Sequence, residues 1–277
     1  MGDVFIGTSG YSYKGWDKTF YGDETPKSRQ LEFYAERFPT VEINATFYRL
    51  PSEGMVAGWR DRVDESFRYA VKGSRFITHM KKLANLDGAM DKFFDRIDPM
   101  KSKTAIILWQ LPPMLKLDLP RLDDFLAQAP AEYEHAVEFR HPSWNTDETF
   151  ALLARHHAAH VNLSSKGMPM NLTVTHNIVY IRFHGLEGGA AHDYTIPELE
   201  PWAKFIREQA EAGRTVYAYF NNDINTRAPE NGFQLMDMVG EHTVRPHQSR
   251  AAPITSGPLA RPAIRVAPIP RSKASRR

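Results

Sequence analysis

Eight short runs of β-branched and aromatic residues recur along this chain: "DVFIGTS", "TVEINATFY", "FRYAVKGS", "TAIILWQLPP", "HAVEFRHP", "AHVNLSS", "IVYIRFHG" and "TVYAYFNND". Runs of this kind form strands. Between most of them apolar residues fall at helical spacing, as in Leu31, Tyr34, Ala35 and Phe38, or Met90, Phe93, Phe94 and Ile97, or Leu199, Trp202, Phe205 and Ile206. "RLDDFLAQ" and "DETFALLARHH" add two more amphipathic segments. Strands joined through helices pair in parallel, because the crossover returns the chain to the same end of the sheet. Eight such strands over about 240 residues have the size and rhythm of a single TIM-type (β/α)8 barrel. A doubly wound open sheet is the alternative, and the lack of a G-x-G-x-x-G or Walker A pattern after any strand weakens its nucleotide-binding versions. The link "KGMPMNLTVTHN" between the sixth and seventh strands is irregular, so one helix is expected to be missing there.

Residues two apart on a strand share a face. In "HAVEFRHPSW" this sets Val137 and Phe139 on one face and Glu138 and Arg140 on the other. A barrel strand must be apolar where it meets the helices. Glu138 and Arg140 are therefore expected to point inward, near the carboxyl end where such barrels place their chemistry. The pattern recurs in Glu42 with Asn44, Arg182 with His184, and Tyr219 with Asn221, while Lys72 and Gln110 end the third and fourth strands.

Composition narrows the class further. The 277 residues, 42% hydrophobic and 25% charged, supply enough apolar mass for one large core or two small ones. The chain has no cysteine, which removes disulfides, thiolate nucleophiles and Cys-ligated zinc. No run of about 18 apolar residues indicates a membrane span, and "MGDVFIGTSG" enters a strand pattern too early for a signal segment. A soluble cytoplasmic protein is expected. Charge is uneven: from Arg245 onward seven Arg, one Lys and no acid carry +8, which leaves residues 1–244 at −6 within a formal net charge of +2. That end is also rich in Pro, Ser and Ala, too poor in apolar surface to offset chain entropy. The expected organisation is a barrel over 1–244 and a disordered Pro/Arg-rich tail over 245–277. The tail is either a soluble appendage or a contact for nucleic acid or another acidic partner.

The segments "IGTSGYSYKGW", "VEINATFYRLP", "FRYAVKGSRFITH", "QLPP", "VEFRHPSW", "YIRFHG" and "YAYFNND", in this order, resemble the YecE-like family, also called domain of unknown function 72. The resemblance spans roughly Phe5 to Val239 and implies a TIM-type barrel. It leaves the activity open. Matched motif to motif, the family's recurrent polar positions correspond to Glu42, Asn44, Thr46, Tyr48, His79, Gln110, Glu138, Arg140, Arg182 and Asp223. Two departures stand out. Ala45 sits where many relatives carry a small hydroxyl residue, and the sixth strand ends in "NLSS" where relatives often carry an acid, so a mechanism needing that carboxylate would be absent or altered.

Together these readings make Glu42, Glu138, His79 and Asp223 the candidate catalytic groups. Asn44, Tyr48, Lys72, Gln110, Arg140, Arg182, His184 and Asn221 are the candidate substrate contacts. Glu42 and Glu138, from the second and fifth strands, would face each other across the mouth, which permits acid and base roles on opposite sides of a small substrate. The structural alternative is a buried ion network of Glu42, Glu138, Arg140 and Arg182. Arg140, Arg182 and Lys72 together suit a carboxylate or phosphate, although Lys72 alone would serve equally in a salt bridge to a neighbouring Glu. Glu42, Glu138, His79, His184 and Asp223 include metal donors but lack any ligand spacing, so no metal is assigned, and no motif names a cofactor. "RHH" at Arg155–His157 suits a helix C-terminus. Tyr11, Tyr13, Trp16, Phe47, Tyr48 and Trp144 would form an aromatic wall for sugar rings or bases, or else a hydrophobic cap. "GLEGGAAHDYT" reads as a flexible loop, with a lid or phosphate loop as alternatives. Three functions stay in view: an enzyme acting on a small polar anion by carboxylate general acid/base chemistry, a noncatalytic ligand-binding barrel, and a nucleic-acid-associated protein using the tail.

Overall fold

The computed structural model describes residues 1–246, so all of the expected tail except Arg245 and Pro246 lies outside the described residues. Its strands are β1 (Val4–Ser9), β2 (Thr40–Ile43), β3 (Arg68–Lys72), β4 (Thr104–Gln110), β5 (His135–Glu138), β6 (Ala158–Ser165), β7 (Ile178–Gly185) and β8 (Thr215–Phe220). Each pairs in parallel with the next, and β8 returns to β1, closing the barrel. The helices are α1 (Gln30–Ala35), α2 (Ala45–Tyr48), α3 (Glu53–Asp61), α4 (Ala89–Ile97), α5 (Leu119–Gln128), α6 (Asp147–Arg155), α7 (Ile196–Glu211) and α8 (Arg227–Val239).

The alternation read from the strands holds. Val137 of β5, Val179, Ile181 and Phe183 of β7, and Val41 and Ile43 of β2 pack outward into the large core shared with the helices. Ala136, Tyr180, Tyr217 and Tyr219 face inward with Phe5, Leu108 and Val161 and fill the barrel's interior. Burying each large apolar side chain contributes about 1.5–3 kcal/mol, so a one-residue register slip on any of these strands is strongly disfavoured. Tyr219 adds a hydrogen bond to Thr40 (2.7 Å), which seals the layer beneath the mouth.

No α-helix joins β6 to β7 among the described residues. The reason lies on β6, whose outward face is polar: His160, Asn162 and Ser164 would leave a helix's apolar stripe without a partner. An extended segment covers it instead. Thr175 donates to the carbonyl of Ala158 (2.7 Å) and accepts from the amide of His160 (2.8 Å).

The last pairing before the tail is Val244, whose amide donates to the carbonyl of Val4 (2.9 Å) beside a bridge from Val4 to Thr243. Among the described residues every strand and α-helix lies before Gly240. Truncation after Pro246 is therefore expected to leave calorimetric melting within about 2 °C of the full chain. A drop larger than about 5 °C would make the tail part of the fold.

Candidate functional site

The carboxyl ends of the strands carry a buried charged layer. Arg182 of β7 is wholly buried and reaches across the interior between two carboxylates, with Nη2 2.6 Å from Glu42 of β2 and Nη1 bonded to Glu138 of β5. Glu42 also accepts from Ser9 and from the Tyr180 hydroxyl (2.7 Å), and Glu138 from Gln110 (2.7 Å) and Arg140 (2.9 Å). Three donors thus converge on each carboxylate. Burial pushes both carboxyl groups up, but Arg182 and the surrounding donors outweigh it and leave both below the usual range, Glu138 well below. Both are ionised.

His184 completes the layer. Its Nε2 lies 2.9 Å from Arg182 and 3.1 Å from Arg140, and its Nδ1 lies 3.0 Å from the Asn221 amide. Burial and the Arg182 charge lower its pKa, so the ring is neutral, and its 3.3 Å approach to Glu138 is not an ion pair.

Lys72 stands apart from this network. It ends β3, is 8% exposed, and its ammonium sits 4.3 Å over the Phe47 ring. Among the described residues that ammonium has neither a hydrogen bond nor an ion pair. Burial and the Arg182 charge lower its pKa from 10.5 to about 8, with Glu42 and Glu138 opposing. The chain leaves β3 through Gly73, where a Cβ would lie 2.2 Å from the Trp109 ring, so only glycine permits this exit. Thr46 fixes the strand end by donating to the Lys72 carbonyl (2.6 Å).

Above the layer opens a cleft of about 540 Å³, lined among others by Tyr11, Tyr13, Asn44, Tyr48, Lys72, Asn221 and Asp223. Burial raises the pKa of Asp223, and burial with the charge of Asp223 raises that of Tyr13, which stays a protonated donor. The side-chain oxygen of Asn44 is buried there without a partner. His79 lies at the edge, its ring against Phe47 and its pKa lowered by burial, Lys72 and Arg75.

All twelve residues singled out from the sequence therefore collect at one end of the barrel, though in two sets. Glu42, Glu138, Gln110, Arg140, Arg182 and His184 form the bonded layer, while Asn44, Tyr48, Lys72, Asn221 and Asp223 line the cleft and His79 flanks it. Sequence reasoning missed Ser9 and Tyr180 as partners of Glu42. Tyr180 had a signal, since it shares the inward face with Arg182 and His184 at two-residue spacing. The expected aromatic wall divides: Tyr11, Tyr13 and Tyr48 line the cleft, Trp16 is buried in the core, and Trp144 is buried against Phe139. Arg155 and His156 close on Asp123 of α5 (2.8 and 2.5 Å), tying two helices together. In the glycine-rich segment Tyr194 is buried and accepts from the amide of Gly185 (3.0 Å). Among the described residues no three His, Cys, Asp or Glu side chains are grouped as a metal ion would require, and no helix is long and apolar enough to cross a membrane.

A closed parallel eight-stranded barrel with a charged layer beneath a polar cleft at its carboxyl end has the architecture of a TIM barrel. The chain belongs to the family described as Protein of unknown function DUF72, whose model matches residues 5–255. It is 31% identical over 142 residues to UPF0759 protein YecE of Escherichia coli strain K12, a match covering 51% of this chain and about half (50%) of that relative's length. Over 269 residues it is 24% identical to UPF0759 protein YunF of Bacillus subtilis strain 168, covering 85% of this chain and 94% of that one. Among solved structures, a DUF72 family protein from Thermotoga maritima MSB8 superposes with a TM-score of 0.79 at 27% identity, covering 86% of this chain and 99% of the other. One from Enterococcus faecalis V583 gives 0.73 at 20% identity, over 85% and 95%, a likeness of fold.

Proposed function

We propose that the cleft binds a small polar anion, bearing a carboxylate or phosphate, and that the protein is an enzyme acting on it by general acid/base chemistry. One observation carries this reading. Three cations, Lys72, Arg140 and Arg182, meet two carboxylates, and the cation left without a partner is the buried one facing the cleft. A buried unpaired charge is costly, and an anionic ligand at Lys72 removes that cost. Arg140, about 29% exposed in its side chain and bonded to Glu138 through one nitrogen, has further donors to offer a ligand. Asp223 lines the cleft and burial raises its pKa, which makes it the proton-transfer group of this reading; Glu42 and Glu138, held ionised by Arg182, shape the floor.

Sulfate, whose charge is constant across the range, tests the anion site. It is expected to raise the melting temperature at pH 7, and the rise should fade above about pH 8 as Lys72 loses its proton. Asp223→Asn should keep this response while losing turnover of any substrate found by metabolite screening. A sulfate response that is equal at pH 7 and pH 9.5, or that survives Lys72→Met, would sink the anion site.

A further inference from the structure

We propose that a second groove, beside the mouth, holds a stretch of single-stranded nucleic acid. The groove, of about 640 Å³, runs between α2 and α4, and Tyr48 lines both it and the cleft. Its walls carry Arg49, Arg75, Lys81 and Lys92 against a single acid, Asp87. Lys81 pairs with Asp87 (3.1 Å), while Arg49, Arg75 and Lys92 form no ion pair among the described residues. This positive patch sits on a body, residues 1–244, whose formal charge is −6, so it is a local concentration and not a share of a basic surface.

Exposed rings stand among these cations. Tyr48 is 69% exposed and Phe76 41%, with the Lys81 ammonium 5.7 Å from the Phe76 ring. Large aromatic side chains are left in water at a cost, and here two of them frame a concave, cationic path. Bases stack on such rings whatever their identity, and the phosphates between them take the unpaired guanidinium and ammonium groups. The backbone is specialised at the same place. Phe76–Met80 is a π-helix, and Lys82, Leu83, Asn85 and Asp87 all have positive φ, a strained run anchored by the buried Leu83 and Leu86. That run holds Lys81 and Phe76 at the groove's rim. A concave path favours a strand over a membrane surface, which would need the apolar groups to protrude from a convex face.

The test is fluorescence anisotropy of a labelled ~12-nucleotide oligo(dT) with the full chain, titrated between about 50 and 200 mM KCl. Arg75→Gln combined with Lys92→Gln is expected to weaken binding about tenfold and to lower the salt slope by about 1.4, since two cations leave a single-strand contact. Phe76→Ala should weaken it roughly tenfold with little change in slope. All three side chains are exposed, so melting should shift by no more than about 2 °C, and the sulfate response of the cleft should persist, which separates failure here from failure of the anion site. Unchanged affinity in both variants would assign binding to the basic tail and overturn the proposal. So would a preference for phosphatidylserine vesicles that Phe76→Ala abolishes.

Discussion

Arg182→Met is expected to be the most damaging single substitution in the barrel. The guanidinium bonds both Glu42 and Glu138, each wholly buried, and methionine fills much of its volume without its charge. Removing one partner of a buried ion pair costs roughly 3–5 kcal/mol, and here two carboxylates lose theirs. At pH 7 the melting temperature should fall by about 10 °C or more. The pH dependence should also invert. In the native chain both carboxyl groups titrate below their usual range, so their contribution is present at neutral pH and is lost as pH falls through the depressed folded values. Without Arg182, burial dominates and raises them, the folded state takes up protons first, and acidification from pH 7 toward pH 5 should restore stability. Glu138→Gln should show a milder loss, because Arg182 keeps Glu42. Melting curves of Arg182→Met that fall in parallel with the native protein on acidification would show that the carboxylates are not held by this arginine.

Lys72→Met should have the opposite effect. An unpaired ammonium buried at the end of β3 has its pKa lowered from 10.5 to about 8, and each unit corresponds to 1.36 kcal/mol, so the charged form costs up to about 3 kcal/mol below pH 8. Methionine removes the charge and keeps the contact with Phe47. The ligand-free variant should melt about 5–10 °C higher at pH 7. This gain has a defined pH window. The unfolded lysine holds its proton up to about pH 10.5 while the folded one releases it near pH 8, so the native protein recovers the cost as pH rises between these values, and the variant's advantage shrinks with it. A stabilised barrel that no longer responds to sulfate is the trade of stability for function expected of a binding residue. If Lys72→Met melts lower than the native chain at pH 7, the ammonium has a partner that holds it, and the anion reading loses its foundation.

The alternation of Glu138 and Arg140 against Val137 and Phe139 is a local property of an extended chain, and so the inward direction of the charged residues was legible from ten residues of sequence. The missing helix after β6 was legible for a similar reason, because "KGMPMNLTVTHN" has no helical period. Parallel pairing followed from counting strands and the helices between them, all short-range signals, whereas the same count left an open doubly wound sheet as the alternative to the closed barrel. The charged layer was legible in its members, since an ion network of Glu42, Glu138, Arg140 and Arg182 was one of the two readings open in the sequence, but not in its wiring, in which Arg182 lies between the two carboxylates and Arg140 bonds only Glu138 of the two.

Legible from the chain alone, then, are the strands and helices, their parallel alternation, the faces of the strands and the end on which the polar groups gather, since each rests on periods of two and 3.6 residues. Which of those groups touch was decided only by tertiary structure. Ser9 reaches Glu42 across 33 residues of chain and Tyr180 across 138, while Trp144, read as part of a wall or a hydrophobic cap, is buried against Phe139. Closure of the sheet sets the stagger between strands, and stagger decides which inward side chains share a layer. Lys72 and Arg182 occupy the same kind of position on their strands. One is held by two carboxylates and the other by none, because the layer's height on each strand is a property of the closed barrel and not of any segment within it.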